Sequence, residues 1–183
     1  LGGEGKELSP HADLLHHGAI GIAESDAMPP AELLRKGFLT DELGQRPIFL
    51  APRDAAIQDN GIVREGVEAL RAGWAPDPIE SETLPLCQLL ELQKQYPHIS
   101  MRLMNISTAA GVSILENSPH KPLTSVCWWN LISDSSTLSP SDIGWRIIPS
   151  LGTPKDRKEL IQGLLKGTLT AVSVNSIALD DFE

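Results

Sequence analysis

No run of apolar residues in this chain approaches the roughly 20 needed to cross a bilayer, and no secretory leader is expected. Cysteine is scarce. Cys87 and Cys127 are the only two, set in apolar surroundings without zinc-type spacing, so they make neither a disulfide framework nor a zinc knuckle. Both are expected as buried free thiols. Basic charge is in deficit: 15 Lys and Arg against 24 Asp and Glu leave a net charge of −9. That balance argues against nucleic acid or an anionic membrane as partner. The acidic residues are scattered, as on solvated faces, and no repeat of fixed period is present. An initial methionine is also lacking. The chain opens on a loop-like Leu1-Gly2-Gly3-Glu4-Gly5-Lys6, which leads us to expect a processed or partial chain. The expected location is the cytoplasm, or an organelle stroma if a transit peptide has been removed.

What is present fits one domain. The 183 residues, 41% hydrophobic and 21% charged, can bury a sizeable core. Helical patterns and short apolar runs alternate along them. Residues 9–18 start with Ser9-Pro10 and stop at Gly18, as a capped helix does. Residues 19–23 read as a strand, 30–39 as a helix and 47–51 as the next strand. Residues 52–80, punctuated by Gly61, Gly66, Gly73, Pro76 and Pro78, read as a long irregular excursion, which in a compact domain usually serves function or an interface. A helix over 81–95 leads to a strand over 99–106, and Ser107 is placed to cap a helix over 108–115. After a strand over 123–128 comes a Ser-, Asp- and Pro-rich loop over 133–142. Thr153-Pro154 then begins a helix that Gly167 stops, followed by a strand over 169–174. Five strands separated by helices imply parallel βαβ units.

In a parallel barrel the reactive groups lie just past the C-terminal end of each strand. Here those positions hold Glu24-Ser25-Asp26, Ala51-Pro52-Arg53-Asp54, Asn105-Ile106-Ser107, Trp128-Trp129-Asn130 and Asn175-Ser176, whereas His11, His16, His17, His98 and His120 all lie elsewhere. Together with Gly18-Ala19-Ile20-Gly21-Ile22, Arg64-Glu65-Gly66, Gly73-Trp74-Ala75-Pro76-Asp77-Pro78, Asn105-Ile106-Ser107-Thr108-Ala109, Ile148-Pro149-Ser150-Leu151 and the run from Asp156 to Thr168, these pieces resemble a dihydroorotase of the amidohydrolase superfamily. The resemblance covers nearly the whole chain. It implies a parallel α/β fold, a (β/α)8 TIM-type barrel of which this chain supplies about five strands, as a single partial barrel domain over 1–183. It also implies a binuclear zinc centre that activates water to hydrolyse a cyclic amide bond.

Carried over position by position, the metal-binding requirements of the resemblance are not met. The histidine expected after the second strand matches Ala51, and the one before Ser-Thr-Ala matches Asn105. A pair of histidines matches Trp129 and Asn130. The catalytic aspartate and the histidine after it match Asn175 and Ser176, and the substrate-holding asparagine and arginine match Ile148 and Gly152. Glu24 alone keeps a carboxylate. Amide oxygens are weak, uncharged donors and do not replace imidazole or carboxylate on zinc; nor does Asn175 have a pKa useful for moving protons. The expectation is a vestigial pocket of Glu24, Ala51, Asn105, Trp129, Asn130 and Asn175, with no catalytic residue, no metal ligand and no cofactor.

Other features are expected to be structural. His16 and His17 point about 100° apart at a helix end whose dipole favours them. Glu24 and Asp26 are expected to cap or bond a loop. One of Trp128 and Trp129 packs inward while the other covers the former pocket mouth. Arg53-Asp54 and Arg64-Glu65 tie exposed loops. The function expected is that of an inactive relative, kept for its surface; the alternative is an active dihydroorotase or related cyclic amidohydrolase. From the resemblance, the partner expected is aspartate transcarbamoylase, with 52–80 as contact surface. Five strands cannot close an eight-stranded barrel, so further chain or an oligomeric partner is expected over the open edges.

Overall fold

Strands too short to stand alone need covering helices, and chain order here supplies one between most of them. In the computed structural model, which describes residues 7–24, 28–40, 42–139, 141 and 145–175, the order is α1 (His11–His16), β1 (Ile22–Glu24), α2 (Ala31–Leu39), β2 (Ile48–Leu50), α3 (Ala55–Gln58), β3 (Val63–Arg64), α4 (Val67–Ala72) and β4 (Pro76–Asp77). Then come α5 (Glu80–Gln95), β5 (Met101–Leu103), α6 (Ala109–Asn117), β6 (Leu123–Cys127), α7 (Trp129–Ile132), a 3-10 turn (Ser135–Thr137), α8 (Pro154–Lys166) and β7 (Ala171–Ser173). Five strands form one sheet in the order β1-β2-β5-β6-β7, and every pairing in it is parallel. This is the parallel α/β architecture of a partial barrel.

Alternation along the strands separates two faces. Ile48, Leu50, Met101, Leu103 and Val126 turn toward the helices and join Phe38, Leu86, Leu89, Val112 and Leu160 in a single buried cluster. Each such side chain contributes about 1.5–3 kcal/mol by leaving water. Phe49, Arg102 and Ser125, on the opposite face, are only half-buried. The best-signalled helix is α8. Thr153 and Asp156 cap it reciprocally, Pro154 occupies its first turn, and Gly167 closes it in the left-handed region at φ 79°.

Several expectations need correction. The ladders are shorter than the apolar runs: Ile99 and Ile106 are buried yet lie outside β5, because apolar patterning reports burial and not pairing. Residues 52–80 are not irregular; they form α3, β3, α4 and β4, with β3 and β4 making a second parallel sheet. Two-residue strands are too short for periodicity to reveal. Cys87 is exposed, on the outer side of α5, while Cys127 is buried. The cap of α6 is Thr108, whose Oγ1 accepts from the Gly111 N–H at 2.9 Å, and not Ser107. Among the described residues no helix is long and apolar enough to cross a membrane.

His11 is buried on α1 against α2. Burial pushes its pKa below the ordinary histidine value, against the opposing pull of Glu42. The folded imidazole therefore resists a proton that the unfolded chain accepts, so stability rises with pH through this window. As pH falls through the ordinary histidine range toward the lowered folded value, stability is lost. Urea midpoints followed from neutral pH downward should show that slope, and His11→Phe should flatten it.

Candidate functional site

The long crossover from β2 to β5 leaves from a strand end and returns across it. Arg64 on β3 and Asp77 on β4 are brought side by side by their strand register, and α5 begins just beyond them with Ser81 and Glu82. All four are buried, Arg64 to 3% exposure. The Arg64 Nη1 lies 3.0 Å from Asp77 Oδ1 and donates to Ser81 Oγ at 2.7 Å and to the Pro78 carbonyl at 2.9 Å. Its Nη2 donates to Ser107 Oγ at 3.0 Å, and the Ser81 hydroxyl donates to Asp77 Oδ1 at 2.6 Å.

Glu82 completes the cluster from the far side. Its carboxylate accepts from the Ser107 and Thr108 N–H groups at 2.7 and 3.1 Å, and from the Thr108 hydroxyl at 2.6 Å. It thus sits on the N-terminus of α6, where a helix dipole favours an anion. Asp156 at the start of α8 joins it: Oδ1 accepts from the Ala109 N–H at 2.8 Å, and Oδ2 from the Thr153 N–H and hydroxyl at 2.8 and 2.7 Å. The Ser-Thr-Ala segment after β5 is therefore held by two carboxylates and one guanidinium. Its hydroxyls are engaged in structure, and Ser107 is neither a cap nor a nucleophile. This cluster was missed from sequence because 52–80 carried no strand signal; Arg64 was expected on an exposed loop and is among the most buried charges.

The residues expected at the strand rims fall into separate places. Ala51 and Asn105 line one cavity with Arg53, Gln58, Arg64 and Glu82, and its volume is only about 20 Å3, room for a single water. Asn105 adopts φ 60°. Its N–H donates to Ser125 Oγ at 3.1 Å and its Oδ1 accepts from the Ser173 hydroxyl at 2.7 Å, so it stitches β5 to β6 and β7. Asn130 is buried, with Nδ2 donating to the Ser150 carbonyl at 3.1 Å. The rings of Trp128 and Trp129 stack on each other at 4.3 Å, and Trp129 remains exposed. Asn175 is exposed at φ 51°.

Glu24 does not join these residues. Paired with Leu50 in register, it lies on the helix side of the sheet and lines a different cavity of about 290 Å3 with His11, Leu34 and Phe38. Ser25, Asp26 and Ser176 lie outside the described residues, as does the glycine-rich opening of the chain. Ile148 is exposed, while Gly152 is packed so that an added Cβ would stand 2.6 Å from that of Asp156. An arginine has no room there. Cys127, at the end of β6, is no nucleophile: burial raises its thiol pKa, against the pull of the Trp129 and Asn130 backbone N–H groups.

Zinc is held by thiolate, imidazole or carboxylate, and Ala51, Asn105, Trp129, Asn130 and Asn175 provide none of these. Among the described residues, no three His, Cys, Asp or Glu side chains are grouped so as to hold a metal ion.

No family model matches the chain. It is 30% identical, over 95% of its length, to a probable dihydroorotase-like protein of Synechocystis, and 25% identical, over 94%, to a dihydroorotase of Thermus aquaticus. Each match spans 42% of the relative, so the chain corresponds to less than half the length of the curated relatives it matches. Its fold superposes on a D-hydantoinase from Bacillus sp. AR9 with a TM-score of 0.75, over 95% of this chain and 42% of that one, at 16% identity. Over the segment that it spans, the chain is similar in sequence to a dihydroorotase-like protein and to dihydroorotases, and it shares the fold of a D-hydantoinase.

Proposed function

We propose that this polypeptide is a non-catalytic, dihydroorotase-like protein, a pseudoenzyme of pyrimidine biosynthesis retained for its surface and not for hydrolysis. The observation that carries this reading is the occupancy of the rim. The positions where the family would place zinc ligands and a proton shuttle hold an alanine, a tryptophan, three asparagines and a serine, and Glu24 alone keeps a carboxylate. Two of those asparagines are committed to protein hydrogen bonds, Asn105 to Ser173 and Asn130 to Ser150. The remaining space between the β2 and β5 ends is about 20 Å3, far below the ~300 Å3 of ordinary ligand pockets.

The partner proposed is aspartate transcarbamoylase, through the 52–80 excursion. Val67 and Leu70, three apart on α4, present one apolar face to solvent, with Leu70 86% exposed. The second reading, dihydroorotase-type hydrolysis of a cyclic amide, is favoured by the names of the relatives. Elemental analysis and a dihydroorotate assay separate the two. We expect no stoichiometric zinc and no turnover above background; two zincs per chain with turnover would overturn the proposal. Gel filtration with purified transcarbamoylase at micromolar concentration should give co-elution that Leu70→Glu abolishes, and independent elution would remove the partnership.

A further inference from the structure

The concave face of the sheet carries a charge that nothing described answers. On β5, the middle strand of the five, Met101 and Leu103 point into the helix-covered core, so alternation turns Arg102 to the other face. Register sets Phe49 beside it on β2 and Leu123 beside it on β6. The guanidinium lies over the Phe49 ring, 5.5 Å from its centroid. Its Nε is buried without a hydrogen bond, and no carboxylate pairs with it among the described residues. Parallel barrels fill this space with bulky branched apolar side chains, and a half-buried arginine among them is costly unless partnered.

Around Arg102 lies a cavity of about 240 Å3, walled also by Phe49, Leu123, Ser125, Thr170 and Ala171. Ser125 Oγ accepts from the Asn105 N–H, and its own hydrogen donates to no described group. One forked cation and one hydroxyl donor match a single planar anion with two oxygens. We propose that this concavity is a carboxylate-binding site, with Arg102 as the fork, Phe49 as the platform that orients it, and Ser125 as the third donor. It lies upstream of the rim residue Asn105, which follows the same strand, and it does not depend on the rim being inactive.

A free carboxylate and an Asp or Glu of polypeptide facing the concavity present the same two oxygens, so the test has two arms. Succinate and chloride at matched ionic strength are titrated into the 183-residue chain, followed by calorimetry and by the nitrogen NMR shift of the Arg102 Nε–H. The expected result is saturable succinate binding that chloride does not reproduce. Arg102→Met should abolish it, and Ser125→Ala should weaken it severalfold. Arg102→Lys, which keeps the charge and the fold but loses the fork, should bind about tenfold more weakly. The same titration on the longest natural polypeptide containing this chain assigns the source. Saturation there too means a free ligand; an Nε–H already shifted and indifferent to succinate means a facing side chain. No saturation in the 183-residue chain, or equal saturation in Arg102→Lys, overturns the site.

Discussion

Arg64→Met should lower the stability of the chain by about 3–5 kcal/mol, the usual consequence of removing one partner from a buried ion pair. The side chains of Arg64 and Asp77 are 4% and 2% exposed, and without the guanidinium the Asp77 carboxylate keeps only the Ser81 hydroxyl as a described side-chain donor. Burying an unpaired carboxylate is what costs; the contact itself is a smaller part. Urea unfolding by circular dichroism measures the loss. Arg64→Met combined with Asp77→Leu should recover much of it, because apolar groups of similar volume can replace a buried pair. A single variant within about 1 kcal/mol of the parent, the size of one ordinary hydrogen bond, would show that the cluster does not hold the excursion down.

The second large effect reverses a rule. Gly111 lies inside α6, where alanine should stabilise by about 1 kcal/mol through helix propensity. Here an added Cβ would stand 2.2 Å from Glu82 Oε1 and 3.1 Å from Thr108 Oγ1. The carboxylate cannot swing aside without releasing the Ser107 and Thr108 donors that it holds. Overpacking and lost charge-assisted hydrogen bonds together predict that Gly111→Ala destabilises by about 2–4 kcal/mol. Glu82→Ala also destabilises, but in that background the Gly111→Ala change should turn neutral or favourable, since the clash is gone. Such a double-mutant cycle isolates the coupling. Additive losses would mean that Glu82 is not the atom in the way.

The sequence carried the parallel order of strands and helices and the boundaries of α8, because each rests on a local device: an apolar run, a Thr-Pro start, a glycine stop. It also named residues expected at the rim, by alignment with strand ends. It did not carry their arrangement. That Glu24 turns to the helix side depends on register with Leu50, and register is decided between strands, not within one. Arg64 and Asp77 lie far from Ser107 along the chain, and no local pattern announces that they converge on it. Arg102 was hidden for a different reason. A charged residue between two apolar ones reads as a solvent-facing strand position, and only a curved sheet makes that face an interior.

The shared carboxylate of Asp156 has one more implication. It closes the first turn of its own helix through Thr153 and reaches across to Ala109 at the head of another. Fraying of either helix start therefore removes a hydrogen bond that steadies the other, and the expected behaviour is that the two starts open together, which hydrogen exchange would show as matched protection.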